Sequence, residues 1–218
     1  EFGVSEKDVD LLKKELLSIT DKHISQNIFN LNSEQEKVKR LVGRLRNFDN
    51  KDVNLHDIKL LLEDCRKYGT LPFSNLARMA FIATAILKSL VDNEVLSEND
   101  SSDIKTNIHT ITSEVISDFE LLCQQKISLE HFLKNYGHLR PGTYDINSKR
   151  YDEDPLLYLD LNSEFSSQKR KIRKFDASKL TKVDKLLKKH GFKSSADDLM
   201  VFINDAIRGR EDAKFHFT

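Results

Sequence analysis

Tryptophan is absent from this 218-residue chain, and glycine, proline, cysteine and net charge are all scarce. Seven glycines leave little room for a glycine-rich loop that cradles phosphate. Two cysteines, Cys65 and Cys123, stand far apart with no CxxC or other metal spacing. Each falls on the apolar stripe of a predicted helix, so both read as buried thiols of a reducing, cytoplasmic protein. Lysine and arginine number 35 against 35 acids, so no net field draws nucleic acid or an anionic membrane. The longest nearly uncharged run, Met79–Leu87, is too short to span a bilayer. The first residues lack the basic and apolar regions of a signal peptide, and no membrane partner is expected.

What is present is amphipathic helix. Hydrophobic residues make up 39% and charged residues 32%, and thirteen phenylalanines argue for a packed core. Ser5 with Asp8 forms a capping-box pattern ahead of Val9, Leu12, Leu16 and Ile19 on one face. Ser33 with Glu36 is expected to start a second helix carrying Val38, Leu41, Leu45 and Phe48. Asn54 opens a third through Leu55, Ile58, Leu62 and Cys65, with Gly69 at its stop and a turn at "GTLPF" before Pro72. A fourth, about 74–96, is apolar nearly all round, as a central packed helix would be. A fifth is predicted over Asn99–Gln125, and Ser128 opens a short sixth. Ser178 caps a seventh that ends at His190-Gly191, and Ser194 or Ser195 opens an eighth that ends near Gly209. The fold class is therefore all-α, a multi-helix bundle of about eight helices with a long ordered loop and no sheet.

The organisation expected is a helical bundle over 1–135, a functional loop over 136–160, a polar basic link over 161–178 and a C-terminal helical pair over 179–218. The link holds "QKRKIRK" (Gln168–Lys174), but without interleaved aromatics in a chain of zero net charge it reads as a solvated hinge, not a nucleic-acid grip. The start "EFG" and the end "AKFHFT" suggest a piece of a larger protein.

The loop "YGHLRPGTYDINSKRYDEDP" (Tyr136–Pro155) holds two of the three prolines, two of the seven glycines, three tyrosines and four acids. Pro141-Gly142 signals a type II turn, with glycine supplying positive φ, and Gly137 permits a tight helix exit. Arg140 and Arg150 offer planar forks for carboxylate or phosphate. His138 is suited to proton transfer or orientation. Tyr144, Tyr151 and Asp145 add aromatic surface, hydroxyls and an acceptor. Arg78, on the apolar fourth helix, needs an acid or a ligand. Two readings stay open at this point: a binding loop, or a connection pinned to the bundle by its own ion pairs. The other histidines, His23, His56, His109 and His131, lie on helices without a partner at metal spacing, and no metal site is expected. No Walker, GxGxxG, HExxH, GxSxG or EF-hand pattern occurs, so a complete active site is not in evidence.

The loop resembles the Tyr/Phe-Gly-His-Arg-rich segment in the helical region of phosphoenolpyruvate-synthase-like proteins, relatives of pyruvate phosphate dikinase and rifampin phosphotransferase. "YGTLPFSNLARMAFIATAILKSLV" (Tyr68–Val91) and "GREDAKFHFT" (Gly209–Thr218) are similar to segments of the same sub-group, and the likeness runs from about Leu55 to the end. The resemblance implies an ATP- and Mg2+-dependent parent in which an ATP-grasp domain phosphorylates a histidine on a mobile domain. Both domains would be partners in cis, and the phosphoryl group would pass to a small-molecule acceptor held by helical structure. This chain has neither the ATP-grasp glycine-rich segment nor a Ser-His phosphohistidine pattern. The resemblance thus implies an acceptor-binding or domain-docking part, catalytically incomplete alone, and His138 is not the phosphocarrier. A non-catalytic helical scaffold is the competing reading.

Overall fold

The computed structural model describes residues 3, 5–25, 27–48, 52–142, 145, 147–161 and 176–217. All regular structure among them is helical, with no strand. The helices are α1 (Glu6–Ser25), α2 (Asn27–Leu45), α3 (Leu55–Asp64), α4 (Leu71–Asp92), α5 (Glu98–Asn107), α6 (Ile111–Cys123), α7 (Leu129–Tyr136), the single turn α8 (Pro155–Tyr158), α9 (Ala177–Lys189) and α10 (Ala196–Phe217).

The local signals at most helix starts hold. Ser5 and Asp8 exchange backbone and side-chain hydrogen bonds at α1. Asn54 accepts from the His56 and Asp57 N–H groups at α3, and Ser128 accepts from His131 at α7. At α10 the cap is Ser195, which forms a capping box with Asp198. At α9 it is Asp176 rather than Ser178, because the Asp176 carboxylate takes both the Ser178 N–H and hydroxyl. The second helix starts at Asn27, ahead of Ser33.

Three expectations are corrected. Gly69 and Pro72 do not stop the third helix. The chain widens into a π-helical stretch, Cys65–Thr70, and Leu71 N–H bonds to the Arg66 carbonyl, five residues back. That extra residue relieves the clash a proline ring makes with the preceding turn, so α3 and α4 run on as one 38-residue helix, Leu55–Asp92. By length and hydropathy this one helix could cross a bilayer, a property the core helix of a bundle shares. The predicted fifth helix breaks at Ile108, which turns to extended backbone before a second capping box, Thr110 with Ser113, restarts it as α6. Finally, α10 runs through Gly209 because a close approach, not a stop, sets that glycine. A Cβ there would meet Gln35 Nε2 at 3.0 Å and Leu76 Cδ2 at 3.2 Å.

The main core lies between α4 and α10, which make the most extensive helix–helix contact. Small Ala83 on α4 joins Ala206 and Ala213 on α10 in one buried cluster that includes Leu76, Leu87, Phe202 and Ile203, and Ala80 of α4 is buried as well. Ile24 of α1, Val38 of α2 and Val183 and Leu187 of α9 complete it, so the C-terminal helices belong to the same core as the N-terminal ones. A second, smaller cluster joins Leu122 of α6, Phe132 and Tyr136 of α7 and Leu159, with Phe215 of α10 packed against it. The α4 helix is not buried all round: Phe81 is 63% exposed and Arg78 is exposed as well.

Elsewhere the apolar stripes face outward. Val9, Leu12, Leu16 and Ile19 of α1 are exposed, as are Leu55, Ile58 and Leu62 of α3. On α3 the buried positions are Asp57 and Asp64 instead. Asp64 is held by Arg44 of α2 through its Nε, so the inward face of α3 carries an ion pair rather than its leucines. Both cysteines are half-buried, and Cys123 Sγ lies 3.9 Å from the Asp160 carbonyl oxygen. The basic run Gln168–Lys174 and the greater part of the predicted link lie outside the described residues.

Candidate functional site

The loop that follows α7 is fastened along itself by backbone bonds. Tyr151 N–H donates to the Leu139 carbonyl (2.9 Å) and Asp152 N–H to the Gly137 carbonyl (3.0 Å). This places the exit of α7 edge to edge with the returning chain. Neither loop glycine takes positive φ; among the described residues the glycines that do are Gly3 and Gly191. The type II turn is therefore corrected. Gly137 is helical, and a Cβ on it would press on the Leu133 carbonyl oxygen and come within 2.9 Å of Asp152 Cβ. Gly142 has Ser148 Cβ and Oγ at 2.9 Å from the same position. Both are glycines of close approach rather than of unusual torsion.

His138 leaves this frame toward α10. Its Nε2 lies 3.1 Å from the Phe215 carbonyl oxygen, to which it donates. Its ring meets the Phe215 ring edge-on at 4.8 Å. Behind it Tyr136 is buried, and its hydroxyl donates to Asp118 Oδ2 at 2.8 Å. Burial, and then that carboxylate, push the Tyr136 hydroxyl far above its ordinary pKa, so it acts as a fixed donor.

The remaining predicted residues divide. Arg140 is half-buried beside His138 in the chain. Arg150 makes a bidentate pair with Asp152, Nε to Oδ1 at 2.9 Å and Nη2 to Oδ2 at 3.0 Å, and its N–H donates to Glu153. Asp145 is exposed, and its Oδ1 accepts the Asn147 N–H in a local turn. Tyr151 is half-buried against Tyr158 at 5.9 Å between ring centres, and burial raises its pKa. Arg78 stands on the exposed surface of α4, so the expectation of an obligatory buried acid or ligand for it is corrected: solvent supplies its hydration. Tyr144 lies outside the described residues.

Next to His138, a polar cleft of about 410 Å3 opens between α2, α4, α6 and α10. Arg208, Asp212 and His216 line it from successive turns of α10, with His109 and Glu114 across from them. Arg208 Nε lies 3.6 Å from Asp212 Oδ2, and His109 Nδ1 lies 3.3 Å from Glu114 Oε1. Burial raises the Asp212 carboxyl pKa, against the pull of Arg208. Burial and then the charge of His138 lower that of His216. Each shift has burial as its first cause, so Asp212 and His216 are the two titratable groups of the cleft that desolvation acts on most clearly. The signal for this cleft was in the sequence, as the 208, 212, 216 spacing on one helix face, but its other wall comes from distant segments.

Among the described residues no group of three or more His, Cys, Asp or Glu side chains is placed to hold a metal ion. Comparison with protein families, with curated proteins and with solved structures finds no match.

Proposed function

We propose that this chain is the acceptor-binding or domain-docking helical region of an ATP-dependent phosphotransferase of the phosphoenolpyruvate synthase type, working in the cytoplasm. The observation that carries this reading is the His138–Phe215 clamp, which sets the resembling loop at the edge of the α10 cleft beside His216. In this reading the acceptor sits where the loop meets the mouth of the cleft, His138 orients it or assists its proton, and Arg140 offsets phosphoryl charge; the cleft itself is lined by other residues. Such electrostatic work dominates phosphoryl transfer. ATP and Mg2+ act on an ATP-grasp domain elsewhere in the parent, and a phosphohistidine domain delivers the phosphoryl group. The exposed apolar stripes of α1 and α3 support the docking of those domains in cis.

One observation favours the scaffold reading for part of the loop. Arg150 is engaged by Asp152, and Lys149 by Asp154 at 2.8 Å, so these cations brace the loop. We therefore assign Arg150 to bracing, and the assignment of His138 and Arg140 to the acceptor rests on the resemblance of the loop. The experiment is phosphorylation of pyruvate, sugar derivatives and antibiotic-like acceptors by the full-length parent with labelled ATP. Transfer to one of these classes is expected, and transfer to none of them removes the proposal.

A further inference from the structure

We propose that a second groove, between α1, α4 and α9, binds a small anionic amphiphile: a flexible alkyl chain with one anionic head. The groove has a volume of about 510 Å3, within the range of small-molecule sites. Its floor is apolar, built by Leu17 of α1, Ile86 of α4, Leu186 of α9 and Phe192 just beyond it. Its lip carries the cations Lys13 and Lys14 with the His190 imidazole beside them, and among the described residues no carboxylate lines it. Lys13 pairs with Asp10 at 3.7 Å with both side chains largely exposed, a pairing too weak to neutralise the lip.

The groove is a built feature rather than a gap between loose helices. Asp21 ties the end of α1 to Lys193 and Ser194, one turn beyond Leu17 in the groove floor. Gly191, at φ +84°, turns the chain sharply after α9, and a Cβ on it would lie 3.4 Å from Leu17 Cδ2. His190 is thereby held at the mouth while Phe192 folds under it. An uncharged apolar ligand would leave the two lysines with only the weak, exposed Asp10 contact, so charge complementarity selects an anionic head.

Calorimetric titration of the chain with octanoate, decanoate and dodecanoate, and with 1-octanol as the uncharged control, tests this site. Saturable binding of one equivalent is expected, tightening about threefold per added methylene. The double variant Lys13→Gln/Lys14→Gln should bind decanoate about fivefold more weakly and leave 1-octanol unchanged. Ser89 is exposed on the groove wall, so Ser89→Trp should fill the groove and abolish binding at unchanged thermal stability. Absence of saturable decanoate binding overturns the proposal, as does undiminished binding to a folded Ser89→Trp variant. Equal affinity for octanoate and 1-octanol overturns the anionic specificity. An acidic amphipathic peptide that binds where decanoate does not would make the groove a protein-docking site and overturn it too.

Discussion

Asp21 on α1 and Ser194, ahead of α10, are joined by two hydrogen bonds onto one carboxylate oxygen: the Ser194 N–H at 3.0 Å and its hydroxyl at 2.7 Å. The Lys193 N–H adds a third at 3.0 Å. Burial would raise the Asp21 pKa, but these donors outweigh it and the net shift is downward. Asp21→Ala should therefore cost about 2 kcal/mol in urea unfolding, and Asp21→Asn, which keeps an acceptor oxygen, distinctly less. Equal losses would show that the carboxylate only fills space.

The inverted face of α3 makes a contrast at two leucines. Leu62 is 68% exposed, whereas Leu76 is fully buried between α4 and α10. Leu62→Gln should change stability by no more than about 0.5 kcal/mol, and Leu76→Ala should cost about 3 kcal/mol. A large loss at Leu62 would mean that α3 packs its apolar face inward.

Asp100 links α5 to α9 through Lys179, and Lys179 together with Ser97 holds its carboxyl down to about 2, against an ordinary 3.8. The folded value lies below the unfolded one, so the contribution is fully present above about pH 4 and is lost as pH falls toward 2. Asp100→Asn should be about 1 kcal/mol less stable than the parent at pH 7, with the gap closing near pH 2. Chemical unfolding at a series of pH values checks this; a gap that stays constant with pH rules out the ion pair as its cause.

His216 titrates below its ordinary 6.5, first through burial and then through His138. In His138→Ala the burial remains and the repulsion goes. The His216 resonance, followed by NMR, should then titrate at higher pH than in the parent yet stay below 6.5. An unchanged midpoint would show that the two rings do not share a field.

Much of the helical framework was legible because caps and apolar spacing are local. Ser5 with Asp8, Asn54 and Ser128 each bond to neighbours three residues away. The misreadings have non-local or unusual causes. A π-helical stretch absorbs Pro72, and nothing in the pattern "GTLPF" separates that from a turn. The outward apolar face of α3 goes with a contact no local pattern shows, Arg44 of another helix reaching Asp64. In the loop, the residue types were legible but their partners were not. Arg150 spends its fork on Asp152, while His138 reaches a carbonyl on α10. The α10 cleft went unseen because His109, Glu114 and His216 meet only once α6 packs on α10.

The most direct measurement of the proposed phosphotransferase reading follows the two halves of phosphoryl transfer separately, in the longer protein that this reading requires, after a single charge of labelled ATP. With Arg140→Ala or His138→Ala, we predict that the phosphohistidine forms at the normal rate and that its discharge to the acceptor slows by about a hundredfold or more. Discharge at the parental rate in both variants would contradict the assignment of this loop to the receiving site.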